Sequence, residues 1–242
     1  MIDAICGTAP ERLKEAFFSR GIILHETGPC NCLQEPLRGH IDLMALRWNE
    51  YLFVTPETID PVSRVLNGIY GVNSPFEIIE TEEHLTGKYP GDVILNVKIA
   101  GNTVIGNLKT MSVTVREFFE KKDFRFIDVS QGYTGCSVLK VSDDLLITDD
   151  ESIFRAVNPY IETVKTEKGS ILLPGYDYGF IGGASLALQD EIFLFGDIEK
   201  SPLKAIVKGN GYCKEKRFTG LLNGENLLDI GGIIPLDSES PK

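Results

Sequence analysis

The chain has 242 residues, 43% of them hydrophobic, and a formal charge of −11 at pH 7. That charge argues against a nucleic-acid surface, which needs a basic stripe, and no apolar run approaches the roughly 20 residues of a membrane span. Five cysteines, an odd number without disulfide spacing, are expected as free thiols in a reducing, cytoplasmic compartment.

The length allows one large domain or two small ones, either with a sizeable core. The chain opens with "MIDAICGTAPERLKEAFFSRG", whose acid at Asp3 and polar helical pattern are unlike a signal peptide. Its helix leads into a strand, "IILHE". From His40 onward one unit recurs: strand, short polar turn, strand, helix, strand. The first hairpin, "HIDLMALRWNEYLFVTPE", turns at Asn49-Glu50. Its helix is expected from Thr55, with Pro56 in the first helical position, ahead of the strand "FEIIET". The second, "GDVILNVKIAGNTVIGN", turns at Gly101-Asn102, a pair suited to positive φ, and is followed by a helix from Ser112 and the strand "RFIDVS".

The third hairpin, "GCSVLKVSDDLLITDD", turns at Asp143-Asp144, with the helix "DDESIFRAVNPYIETV" capped by Asp149 or Asp150 and "SILLPG" as the closing strand. The fourth, "GASLALQDEIFLFGD", turns at Asp190-Glu191, with a helix from Asp197 and "YCKEKRF" as the following strand. A fifth hairpin, "ENLLDIGGIIPLD", turning at Gly231-Gly232, ends the pattern with no helix after it. The N-terminal helix and strand lack a hairpin, so the two ends complete one unit if they meet. Closure of a ring in that way leaves no edge strand exposed. A period of about 40–50 residues otherwise suggests a solenoid or a propeller. The split unit favours a ring, and one helix per unit disfavours an all-β propeller. The expected fold is α/β, five ββαβ units around a pseudo-fivefold axis, one domain over residues 1–242.

Five such units in a closed ring resemble the penteins, the guanidine-modifying-enzyme fold of arginine deiminases, agmatine deiminases and dimethylargininase-like proteins. "GHIDLMALRWNEYLFVTP" resembles their "HLDTVF" strand, and "PGDVILNVKIAGNTVIGN" their "EGGDVL" strand. The pattern covers nearly the whole chain, although the matching motifs are short, and a branch without assigned activity fits as well as a known enzyme.

The resemblance implies a site in the central pore, where a cysteine thiolate attacks a guanidinium carbon, a histidine handles protons and carboxylates grip the nitrogens. The chemistry suits those types, since a planar cation with five N–H donors is held by charge-assisted bonds to carboxylates and its poor electrophilic carbon needs a thiolate. Threaded in the family's order, the glutamate of its "EGGD" falls on Tyr89 with Asp92 kept, its histidine motif on Thr134-Gly135-Cys136, and its cysteine near Gly231. A protein threaded so is dead by the family's mechanism.

Rotating the ring puts "H-x-D" at His40 and Asp42, the nucleophile at Cys136 two units on, and an acid at Glu225, with Asp229 next along. In that threading Cys136 attacks, His40 shuttles protons, and Asp42 with Glu225 holds the substrate. Tyr133, Ser137, Asp92, Asp229, Gly182 and Gly183 are the expected substrate-binding residues, the two glycines offering space and N–H donors where another acid would help. The rival expectation is a pentein that binds a ligand or partner without catalysis, as the translation initiation factor on this fold does; a third is thiol chemistry on a neutral amide.

Each site residue also has a plain structural reading. His40 beside a turn suits a surface position, Asp42 a strand cap, and Cys136 an inert buried thiol. Cys30 and Cys32 with His25 nearby resemble a soft-metal loop, but no second pair follows, and neither a metal nor a cofactor is expected. Cys213 in a basic loop reads as incidental and Trp48 as packing. The expected partner is a small cationic or amide-like molecule, with no nucleic acid or membrane.

Overall fold

A computed structural model of the chain describes residues 1–209 and 216–236. In chain order it forms β1 (Ile2–Cys6), α1 (Glu11–Phe18), β2 (Ile22–Glu26), α2 (Ile41–Met44), β3 (Ala45–Trp48), β4 (Tyr51–Val54), α3 (Ile59–Tyr70) and β5 (Glu77–Glu80). Next come β6 (Lys98–Ala100), β7 (Thr103–Gly106), α4 (Val113–Glu120), β8 (Arg125–Asp128), α5 (Thr134–Ser137), β9 (Val138–Lys140), β10 (Leu145–Thr148), α6 (Glu151–Val157) and β11 (Glu162–Lys165). The last are β12 (Ser185–Ala187), β13 (Glu191–Leu194), α7 (Lys204–Lys208), β14 (Arg217–Gly220) and β15 (Ile234–Pro235).

The strands form five three-stranded sheets, ordered β3-β4-β5, β6-β7-β8, β9-β10-β11, β12-β13-β14 and β15-β1-β2. In each sheet the first two strands are antiparallel, and the third runs parallel to the middle one after a helical crossover. Middle strands have neighbours on both edges and are buried on both faces, which explains their unbroken apolar runs, such as Leu52–Val54 and Leu145–Ile147. Four crossover helices each bury one i, i+4 pair against the core: Leu13/Phe17 in α1, Val62/Leu66 in α3, Val115/Phe119 in α4 and Ile153/Val157 in α6. Caps set two of their starts: Ser112 Oγ accepts from Val115 N–H, and Asp150 Oδ1 from the N–H groups of Ser152 and Ile153.

The ends of the chain meet: β15 pairs with β1 through Ala4–Pro235 and Ile5–Ile234. Closure continues at the centre, where the turn before each unit's first strand bonds to its neighbour. Asn96 Nδ2 donates to the Asp42 carbonyl, Gly135 N–H to Asn96, Gly182 N–H to Cys136, Ile230 N–H to Gly183, and Asp42 N–H to Gly231. At least one bond at each of five junctions makes a closed circuit around the pore.

Several local expectations are corrected. The fifth unit is not a C-terminal hairpin turning at Gly231-Gly232; its first strand is β15 and its second is β1. The stretch at His40 opens as the helical turn α2, not as strand. α3 starts at Ile59 rather than Pro56, because Thr58 Oγ1 accepts from Thr55 N–H and donates to the Met44 carbonyl, closing residues 55–58 into a separate turn. α6 ends at Val157, before Asn158-Pro159, so "ETVK" and not "SILLPG" completes the third sheet. Part of "YCKEKRF", with Cys213, lies outside the described residues. No helix among the described residues is long and apolar enough to cross a membrane.

Candidate active site

The turns preceding the first strands carry the polar residues of the pore. α2 and the residue before it supply Asp42 and His40, the turn before β6 supplies Asn96, α5 supplies Cys136, and the segment before β15 supplies Asp229. His40 at 4% exposure, Asn96 at 1%, Cys136 at 2% and Asp229 at 3% are buried, and Asp42 is half-buried.

The thiol is the hub. Cys136 Sγ donates to Asp42 Oδ2 at 2.8 Å and accepts from Asn96 Nδ2 at 3.1 Å. Asn96 also accepts the Cys136 backbone N–H at 3.1 Å and donates to the Asp42 carbonyl at 2.9 Å, so one amide fixes nucleophile and acid together. His40 Nδ1 stands 3.9 Å from Asp42 Oδ1 and 4.0 Å from Asp229 Oδ1. Asp229 is held by the backbone N–H groups of Phe180 at 2.8 Å and Gly231 at 2.9 Å. Asp42 Oδ1 is buried without a hydrogen-bond partner among the described residues, an unmet acceptor facing the site.

Burial and like charge dominate the titration of this cluster. Burial pushes the His40 imidazole down to about 4, so it is neutral at physiological pH. Asp42 is raised to about 8, by desolvation first and then by the Asp229 carboxylate, while the Cys136 hydrogen bond opposes the rise. Asp229 is raised to about 6 by desolvation, against its two backbone donors. The Cys136 thiol is pushed well up by desolvation and by both carboxylates, with Asn96 opposing. The resting site therefore holds a thiol and shares carboxylic protons; each of these groups would ionise more readily beside a bound cation.

Two cavities flank the cluster. One of about 230 Å³ is lined by His40, Cys136, Asp229, Tyr133 and Phe180 among others. The other, of about 440 Å³, is lined by Asp42, Arg47, Lys98, Lys140 and Asp143 among others. Asp42 thus reaches the thiol from the opposite mouth of the pore.

The structure brings His40, Asp42, Cys136 and Asp229 together. Glu225 is not with them: its carboxylate pairs with Arg12 at 2.9 Å on the surface, and Asp229, four residues on, is the acid beside His40. Tyr133 lines the smaller cavity, stacks on Phe180 and donates to Asp92 Oδ2 at 2.6 Å, so Asp92 braces the wall from behind. Ser137 is fully buried, with its hydroxyl unpartnered among the described residues and outside the lining of either cavity. Gly182 and Gly183 do not offer N–H groups to a ligand, since both donate to the Cys136 carbonyl, at 2.7 and 3.2 Å. They are spaces for protein: a Cβ on Gly183 would lie 2.0 Å from Asp229 Oδ1.

Asn96 was not among the expected site residues. Its signal was a lone amide in the apolar run "VILNVKIA", two residues before its strand, the same offset as Cys136 from β9. Asn96→Ala would strand the Cys136 N–H and the Asp42 carbonyl, and is expected to cost about 2–3 kcal/mol in urea unfolding; an unchanged midpoint would refute the bridging role. Away from the site, His25 Nε2 pairs with Asp3 and His84 Nδ1 with Glu57, and no group of three or more metal-ligating side chains occurs among the described residues.

A family model described as a family of unknown function (DUF6873) matches residues 4–234. No curated protein sequence matches. Among solved structures, the DDAH of Pseudomonas aeruginosa, a mutant complexed with citrulline, is similar at a TM-score of 0.55 and 8% identity, covering 91% of each chain. SxtG, an amidinotransferase from Microseira wollei in the saxitoxin biosynthetic pathway, gives 0.58 and 7%, covering 96% of this chain and 80% of its own. The N-terminal domain of ArgZ, an arginine dihydrolase of the cyanobacterial ornithine–ammonia cycle bound to substrate, gives 0.55 and 11%, covering 96% and 95%. The fold is thus the five-bladed α/β propeller of the penteins, with five ββαβ units closed by the chain termini.

Proposed function

The chain belongs to this family of unknown function, and we propose that its pore holds a thiol-dependent hydrolase or transferase site for a small guanidino or amidino compound. The observation that carries the reading is the Cys136 thiol bonded to Asp42 at 2.8 Å within a cluster that includes His40 and Asp229. The structural neighbours named above, which act on guanidino compounds or carry amidino groups, lend it support.

A cation entering the smaller cavity would offset the repulsion between Asp42 and Asp229 and favour their ionised forms. Asp42 then takes the thiol proton as the C–S bond forms at the amidine carbon. The C–N bond breaks, and the amine leaves with the proton that Asp42 received. Neutral His40 accepts a proton from water, or from an acceptor amine, as that group attacks; the C–S bond then breaks and His40 passes that proton to the departing sulfur, restoring the thiol and the neutral imidazole. Asp229, which lines the cavity, accepts from the cation's N–H groups, and Asp42 adds its charge from beside the thiol. A non-catalytic binding module is the second reading, favoured by the raised thiol, which is a poor nucleophile until something lowers it.

Chloroacetamidine and its neutral analogue chloroacetamide separate the two readings. Peptide mass spectrometry should find Cys136 alkylated selectively by the amidine, at more than about tenfold the rate with the amide, a difference of ~1.4 kcal/mol. Alkylation at Cys136 no faster than at the partly exposed Cys32, with either reagent, would defeat the catalytic reading and leave the binding module.

A further inference from the structure

We infer that the compound bound in the smaller cavity carries no carboxylate, and that its body is flat or bears a second positive charge. The inference rests on the amidine reading above and narrows it to a substrate class. The titratable lining is His40, Cys136, Asp177, Asp229 and tyrosines; no lysine or arginine among the described residues lines the cavity. A carboxylate on the ligand would enter beside Asp229 and the exposed Asp177 with no cation to meet it, an unpaired charge that binding would have to desolvate.

Two cations outside the lining have partners of their own. Arg38 Nε donates to the Leu33 carbonyl at 3.2 Å. Lys168 lies 6.0 Å from the Tyr178 ring centroid and 4.0 Å from Asp150 Oδ2. Lys98 and Lys140 line the other cavity.

The walls are aromatic. Tyr133 and Phe180 stack at 6.2 Å with ring planes 23° apart, and Tyr178 meets Phe180 edge-on at 6.0 Å. Tyr176, at 44% exposure, extends this surface to the mouth. Such walls favour a planar or cationic body over an anionic one. The volume, about 230 Å³, suits one ring or a short chain beyond the amidine. Acid lining and aromatic walls thus select against the same feature, a negatively charged tail.

Three probes on the intact protein at low ionic strength test this: benzamidine, 4-(aminomethyl)benzamidine and 4-amidinobenzoate, each as a competitor of Cys136 alkylation by chloroacetamidine and by calorimetry. Benzamidine and its aminomethyl derivative should bind at least about tenfold tighter than 4-amidinobenzoate. Asp177→Lys should narrow that gap. If 4-amidinobenzoate binds as well as benzamidine or better, the inference is overturned while the amidine reading stands. If none of the three binds, the amidine reading falls and takes the inference with it.

Discussion

Gly231→Ala is expected to destabilise the protein by about 3–5 kcal/mol and to prevent folding in a marginal background. Gly231 has φ +76°, and a Cβ there would lie 2.3 Å from both Cα and Cβ of His40. The left-handed backbone alone costs about 1–2 kcal/mol for an L-residue. The larger part is the clash, because the atoms met include backbone, which no rotamer change can move. The same carbonyl accepts from Asp42 N–H at 3.0 Å, so yielding at Gly231 would open the junction between the last unit and the first. Gly224→Ala is the control: its φ is +77° but nothing lies within 4 Å of the added carbon, so only the backbone cost of about 1–2 kcal/mol remains. Equal unfolding midpoints for the two variants would refute the close approach at the ring junction.

Asp42→Asn is expected to stabilise the fold at pH 8 by about 0.5–2 kcal/mol, while reducing amidine alkylation of Cys136 at least about 10²-fold. The loss follows from removal of the base 2.8 Å from the thiol: an amide oxygen can still accept the S–H but cannot take its proton. The gain follows from linkage. Asp42 titrates at about 8 in the folded chain against an ordinary 3.8, so the folded state holds a proton that the unfolded state has released, and stability from this group falls as pH rises from about 4 to about 8. His40, at about 4 against 6.5, works the other way: the unfolded state protonates first, and stability falls as pH drops from 6.5 to about 4. The two oppose each other below 6.5. Between 6.5 and 8 Asp42 governs, so the parent protein should lose stability across that window and Asp42→Asn should not. Urea unfolding at pH 6.5 and 8 measures the slope, and an unchanged slope in the variant would show that the proton resides elsewhere.

Much of the fold was legible because local chemistry fixes it. The turns at Asn49 and Gly101 have positive φ, as Asn-Glu and Gly-Asn pairs between apolar strands suggest. The buried middle strands announce themselves as continuous apolar runs, and Ser112 and Asp150 cap their helices as placed. The errors fall where two signals compete locally: Pro56 can open a helix or a turn, and the hydroxyl bonds of Thr58 decide for the turn. "PYIETV" continues the helical pattern on apolar content, yet Pro159 and the β-branched Thr163 and Val164 make it turn and strand.

The sequence by itself determined the five units and the split of the last between the two ends, consequences of periodicity and turn chemistry, which act within about 50 residues. The histidine, aspartate and cysteine were singled out by the family resemblance, and as strand residues, whereas they stand at helical turns ahead of the strands. Which acid stands beside His40, and what holds the thiol, only the tertiary structure decided. Glu225 and Asp229 are four residues apart in one polar segment; Arg12, brought close by ring closure, takes the first, and the N–H groups of Phe180 and Gly231 take the second. Asn96 reaches Cys136 across 40 residues and Asp42 across 54. The glycines before β12 proved to be room for Asp229 and donors to Cys136, a role set by close approach between units that no spacing along the chain encodes.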